Sequence, residues 1–73
     1  MINVRSSVVR GFEYDPVTLQ LSVEFNAGGV YRYDNVPHQL AVQLCWTAVT
    51  GASVGSFLNH NVFHAGFVFT KIK

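Results

Sequence analysis

Thr18-Leu19-Gln20-Leu21-Ser22-Val23-Glu24-Phe25-Asn26-Ala27-Gly28-Gly29-Val30-Tyr31-Arg32-Tyr33-Asp34 is the stretch that decides the fold. Leu19, Leu21, Val23 and Phe25 alternate with Gln20, Ser22, Glu24 and Asn26, the period of two of a strand buried on one face. Asn26-Ala27-Gly28-Gly29 supplies residues that tolerate positive φ, so the chain reverses into a hairpin. Val30 to Asp34 is then a second strand, with Tyr31 and Tyr33 on one face and Val30 and Arg32 on the other.

Working outward, Val8 to Tyr14 is rich in β-branched and aromatic residues and reads as the strand before this hairpin. Asp15-Pro16 is the turn between them, since Pro fixes φ and Asp bonds its own backbone. Downstream, Pro37 suits a helix start, where its missing N–H costs nothing. The helix runs from His38 to about Val49. Its polar positions Gln39, Gln43, Thr47 and Thr50 form one narrow stripe, and apolar residues cover the rest. A helix apolar almost all round is expected to be buried. One small sheet cannot bury it, so a second protein surface is implied. Gly51 ends it. Ser53 is placed to cap a short second helix from Val54 to about His60. Phe63 to Ile72 returns to strand character, with Phe67, Phe69 and Lys71 opposite Val68, Thr70 and Ile72, and Gly66 suggests a bulge. The expected fold is therefore α+β: a three-stranded antiparallel meander, a helix packed on one face, a short second helix, and a final strand rejoining the sheet.

The chain has 73 residues, one domain spanning 1–73, with a net charge of +1. Hydrophobic residues make up 49% and aromatics 14%, which excludes a disordered tail. Charged residues are only 12%, against about 25% in an ordinary soluble domain. That excludes a nucleic-acid binder with a broad basic face, whose affinity scales with the Lys and Arg set on phosphates. All four acids, Glu13, Asp15, Glu24 and Asp34, lie in the first half, and no Asp, Glu, Lys or Arg occurs from Asn35 through Thr70. We read the uncharged half as the half that meets other protein, and expect a homo-oligomer. No apolar run approaches the roughly 18 residues of a membrane span. Met1 to Ser7 has no apolar signal segment. The single cysteine excludes a disulfide framework and fits a reducing, cytoplasmic location.

The order of motifs carries a resemblance. Ser6-Ser7 precedes a strand ending Tyr14-Asp15-Pro16. Gly29-Val30-Tyr31-Arg32-Tyr33 is followed by Val36-Pro37, a helix, then Ser53-x-Gly55-x-Phe57-Leu58-Asn59 and a last aromatic strand. Over nearly its whole length this resembles the KTSC family, named for its place at the C-terminus of some lysyl-tRNA synthetases and known also as free-standing small proteins of bacteria and phages. Two departures stand out. The stretch from Pro37 to Asn59 is a few residues longer, with Val49-Thr50-Gly51-Ala52 as the extra part. An Arg that often follows the family's Asn is replaced by Asn61-Val62-Phe63. The resemblance implies a non-enzymatic domain with a link to RNA.

The residues that would bind a ligand each have a structural reading as well. Tyr31 and Tyr33 share a face where they could stack bases, each stack being worth about 1–3 kcal/mol. Under a helix they would instead be core, with the hydroxyl at the rim. Arg32 points the other way, so within one subunit it cannot read the same ligand. Ser6, Ser7, Ser53, Gly55 and Asn59 are the polar set that the resemblance singles out. They offer N–H groups to an anion, or simply cap helices and form turns. Arg5 and Arg10 flank the serine pair and could complete a phosphate site. His60 and His64 lie four apart, yet the predicted helix ends at His60 and no further ligands accompany them, so no metal is expected. Cys45, in an apolar helix, reads as inert core. No paired carboxylates, nucleophile set or cofactor motif is evident, and no enzyme or cofactor is expected.

The leading expectation is a non-catalytic module for a phosphate-bearing, nucleotide-type ligand held at subunit boundaries, as in a bacterial or phage protein that sequesters small nucleotides. The alternatives are a short-RNA-binding domain and a structural or protein-interaction module in a larger assembly.

Overall fold

The computed structural model describes residues 2–4 and 8–73. Five strands form one antiparallel sheet in sequence order: β1 (Ile2–Asn3), β2 (Val9–Asp15), β3 (Gln20–Phe25), β4 (Val30–Tyr33) and β5 (Phe69–Lys71). Between β4 and β5 come α1 (His38–Thr50), α2 (Val54–Leu58) and a π-helical turn, Asn59–Phe63. The α+β class stands. The three-stranded meander is corrected to five strands, because Ile2–Asn3 adds to one edge by pairing with Gly11 and Phe12, and β5 adds to the other.

The turn chemistry explains the meander. The Asp15 carboxylate accepts the N–H groups of Val17 and Thr18 at 2.9 and 3.3 Å, closing the β2–β3 turn. Leu19 leaves that turn at φ 60, and its carbonyl accepts Val36 N–H at 2.9 Å. The β3–β4 hairpin turns on Gly28 and Gly29, at φ 100 and 94, where a side chain would be strained.

Alternation then sorts the sheet into two faces. Phe12, Val23, Tyr31 and Lys71 stand in one cross-strand row, and Tyr14, Leu21, Tyr33 and Phe69 in the next. These rows lie on the helix side, where Val9, Phe12, Leu21, Val23, Tyr33, Val36, Leu44, Val54, Leu58 and Val62 make the core. The other face carries Glu13, Ser22, Arg32 and Thr70 in a row. Glu24, Asp15 and Asp34 share their parity, so all four acids fall on this open face.

As expected, the sheet alone does not bury α1, and two other local expectations change. α1 buries only Ala41 and Leu44 completely, while Val42, Trp46 and Val49 face solvent, Trp46 at 70% exposure. A single sheet layer covers one stripe of a helix, and the opposite stripe of α1 stays uncovered within the chain. The helical run continues to Phe63, and strand structure begins only at Phe69. Phe63 packs its ring on Phe25 and Tyr33, and this tertiary contact outweighs its strand propensity. Gly66, at φ 87, belongs to the turn after that helix, whereas the bulge lies in β2, between Val9 and Gly11. Other details hold. Pro37 precedes the first turn of α1, Gly51 closes it in the left-handed region, and Ser53 accepts Ser56 N–H at 3.2 Å to cap α2.

Candidate functional site

Five aromatic rings meet on the helix side, beside the β3–β4 hairpin. Phe25 touches Tyr31 edge-on at 5.5 Å between centroids and Phe63 at 5.6 Å. Tyr31 meets Phe69 at 6.0 Å, and Tyr33 meets both Phe69 and Phe63 at 5.6 Å. The contacts close into a ring: Phe25, Tyr31, Phe69, Tyr33, Phe63 and back. With Ala27 and Gly28 the five rings line an open depression of about 540 Å³. Tyr33 is buried at its floor, while Phe69 remains 57% exposed on its wall. Burial, and secondarily the neighbouring Tyr31, push the Tyr33 phenol above its ordinary value, so it stays a neutral hydrogen-bonding group.

Sheet register explains the assembly. Tyr31 and Tyr33 project together from β4, and their β5 partners are Lys71 and Phe69. Lys71 therefore rises on the same face, beside Tyr31. Its Cε also passes over the hairpin, 3.6 Å from where a Cβ on Gly29 would stand. The depression thus has an aromatic lining, a hairpin with little side-chain bulk, and one ammonium at its edge.

The other expected residues do not join it. Arg32 lies on the open face, where its Nε comes within 3.6 Å of the Asp34 carboxylate without forming a hydrogen bond. Ser53 and Gly55 mark the start of a helical run whose far end, through the π-helical turn, delivers Phe63. Asn59 is exposed where α2 passes into the π-helical turn. Arg10 is exposed on β2, next to the bulge, and its carbonyl accepts Val4 N–H at 3.0 Å. Arg5, Ser6 and Ser7 lie outside the described residues. The sequence reading found the tyrosine pair and missed Phe25, Phe63, Phe69 and Lys71. The signal was present: Phe69-x-Lys71 has the spacing of Tyr31-x-Tyr33, and only the pairing of these two strands was needed to join them.

Two further groups are accounted for by local bonding. His38 Nε2 lies 2.8 Å from the Pro16 carbonyl, and its ring meets Tyr14 edge-on at 5.9 Å, so the backbone rather than Cys45 engages the imidazole. Tyr14 donates to the Val36 carbonyl at 2.6 Å. Among the described residues no group of three or more His, Cys, Asp or Glu is placed to hold a metal. Nor is any helix there long and apolar enough to cross a membrane.

These features define a small α+β domain: a sequential antiparallel sheet, helices over one face, and an aromatic recess where the helices leave the sheet. The KTSC domain model matches residues 5–67, and the chain belongs to that family. A crystal structure of a KTSC domain protein from Yersinia pestis is similar, with a TM-score of 0.78, 28% identity, and coverage of 97% of this chain and 93% of that one. An uncharacterized protein of Stutzerimonas stutzeri (strain A1501) is 40% identical over 43 residues, which is 59% of this chain and 61% of that protein.

Proposed function

We propose that this domain is a non-catalytic binding module whose ligand carries a flat ring and a phosphate, as a nucleotide does. The ring sits in the aromatic depression, with Phe69 as its stacking wall, and the phosphate lies at Lys71. The observation that carries this reading is the closed set of five rings, open to solvent and edged by a lysine on the same face. Stacking on such a ring contributes about 1–3 kcal/mol per base. The distribution of charge supports the choice of face. A phosphate on the open face would meet all four acids, and Arg32 there already faces Asp34.

A small ligand fits better than an extended one. The chain has five Lys and Arg in all, and Arg32 points away from the depression, so a long phosphate track lacks counter-charges. Calorimetric titration with a panel of nucleotides and short oligoribonucleotides tests this. The expected result is saturable binding of a mononucleotide or dinucleotide with a weak dependence on salt. Steep loss of affinity with salt, seen only for the oligoribonucleotides, would transfer the reading to short-RNA binding. No heat from any member of the panel would favour a purely structural or protein-interaction unit.

A further inference from the structure

β5 closes the sheet order, and among the described residues no strand pairs with its outer side. Its inner side is defined by backbone bonds: Asp34 N–H to the Val68 carbonyl at 2.9 Å, and Ile72 N–H to the Val30 carbonyl at 2.8 Å. In an antiparallel ladder the bonding direction alternates along the strand. Val68, Thr70 and Ile72 therefore point their main-chain groups at β4, and Phe69 and Lys71 point theirs outward. Natural edges are blunted by proline, a bulge, charges or a covering element. This one has no proline, one lysine within it and a bulge only at its end, where Ile72 and Lys73 both bond Val30, and its apolar side chains are left open: Val68 at 67%, Phe69 at 57% and Ile72 at 43% exposure.

The geometry points to β5 as the surface on which a second copy of this chain pairs, edge to edge and antiparallel, about a two-fold axis at Thr70. The occupant follows from the sequence of the edge. About its centre, Val68-Phe69-Thr70-Lys71-Ile72 sets Val68 against Ile72 and Phe69 against Lys71. In that register Phe69 faces the partner's Lys71 and Lys71 faces the partner's Phe69. These are the residues whose N–H and C=O groups point outward, so each pair exchanges both of its bonds. On the helix side an ammonium meets an aromatic ring instead of another ammonium. On the open face Val68 meets the partner's Ile72, apolar on apolar. The axis closes the assembly at two copies, so the edge is consumed rather than propagated into a fibre.

The pairing stands on the strand edge alone. Its consequence for binding rests on the reading above: Phe69 walls the depression, so the partner's Lys71 arrives beside it as a second cation for a phosphate. The site would then be completed at the boundary between copies.

The test is the solution mass by light scattering, over a range from about 1 to about 500 µM suited to a small interface. The wild-type chain shifts with concentration from 8.1 kDa toward twice that mass, about 16 kDa. The variant V68K/I72K sets lysine against lysine across both ends of the pairing and stays at 8.1 kDa. The variant V68K/I72E sets lysine against glutamate and regains the dimer. These side chains are exposed, so circular dichroism should show all three chains folded; amide exchange at Phe69 and Lys71, slowed as wild-type concentration rises, checks the same contact without substitution. A wild-type mass of 8.1 kDa throughout overturns the inference, as does a V68K/I72K chain that dimerises like wild type, or a V68K/I72E chain no better than V68K/I72K. A dimer that binds no nucleotide sinks the binding reading alone, and a nucleotide-binding monomer sinks the pairing alone.

Discussion

Leu44→Ala and Val49→Ala change the same helix on opposite sides and should differ widely in cost. Leu44 is 1% exposed and packs in the core, so its truncation loses transfer energy and leaves a cavity, about 2–5 kcal/mol. At about 0.05–0.15 kcal/mol per residue, a 73-residue domain has roughly 4–11 kcal/mol in total. Leu44→Ala therefore removes a large fraction of it and lowers Tm by at least about 8 °C. Val49 is 79% exposed. Full burial of a valine is worth about 1.5–3 kcal/mol, so the fifth of it that is buried contributes about 0.3–0.6 kcal/mol. Alanine's better helix propensity returns about the same amount, and the net change is close to zero. Urea unfolding at two protein concentrations measures both. If Val49→Ala costs as much as Leu44→Ala, α1 is turned differently from the orientation described. If its cost grows with concentration, the Val42–Trp46–Val49 stripe is covered by another copy.

Phe69→Ala should weaken binding of a mononucleotide by about 5- to 150-fold, the loss of one stack, and lower Tm by only a few degrees because more than half of the residue is exposed; titration calorimetry and a thermal melt read the two effects separately. Lys71→Gln should also weaken it, while Arg32→Gln, on the other face, should leave it within about twofold; equal losses would mean that the ligand is not in the aromatic depression. Tyr33 is held above its ordinary value of 10.0 in the fold, so its stabilising effect is complete below that value and is lost as pH rises through the folded one. Unfolding free energy should thus fall on the alkaline side, and Tyr33→Phe should flatten that fall; an unchanged slope would remove Tyr33 as its source.

The hairpin, the turn at Asp15 and the α1 start and stop were legible because each rests on local chemistry. Alternation over Leu21, Val23 and Phe25 needs no partner to be recognised, and Gly51 stops a helix wherever it stands. Errors arose where the partner decides. Ile2 and Asn3 are a strand only because Gly11 and Phe12 accept them as one. Phe63 has strand propensity but is drawn into a helical turn by Phe25 and Tyr33. The site was half visible for the same reason. Tyr31 and Tyr33 are neighbours on one strand, whereas Phe69 and Lys71 reach them only through the pairing of strands separated by both helices. The apolar pattern of α1 was legible too: it implied more apolar surface than one small sheet covers, and Val42, Trp46 and Val49 form a stripe left uncovered within the chain.

The arrangement of charge joins these observations. A sheet with period-two alternation can give its two faces different signs without any change in net charge. Here Glu13, Asp15, Glu24 and Asp34 share one parity, and Lys71 has the other. A chain of net charge +1 thereby presents an acidic open face and, on the helix side, a neutral aromatic surface with a cation at its rim. An anion approaching the open face is repelled, whereas at the aromatic depression it meets the ammonium. On the proposed reading, the low content of charged residues would then assist discrimination, because among the described residues on the helix side few other side chains would compete with Lys71 for a phosphate.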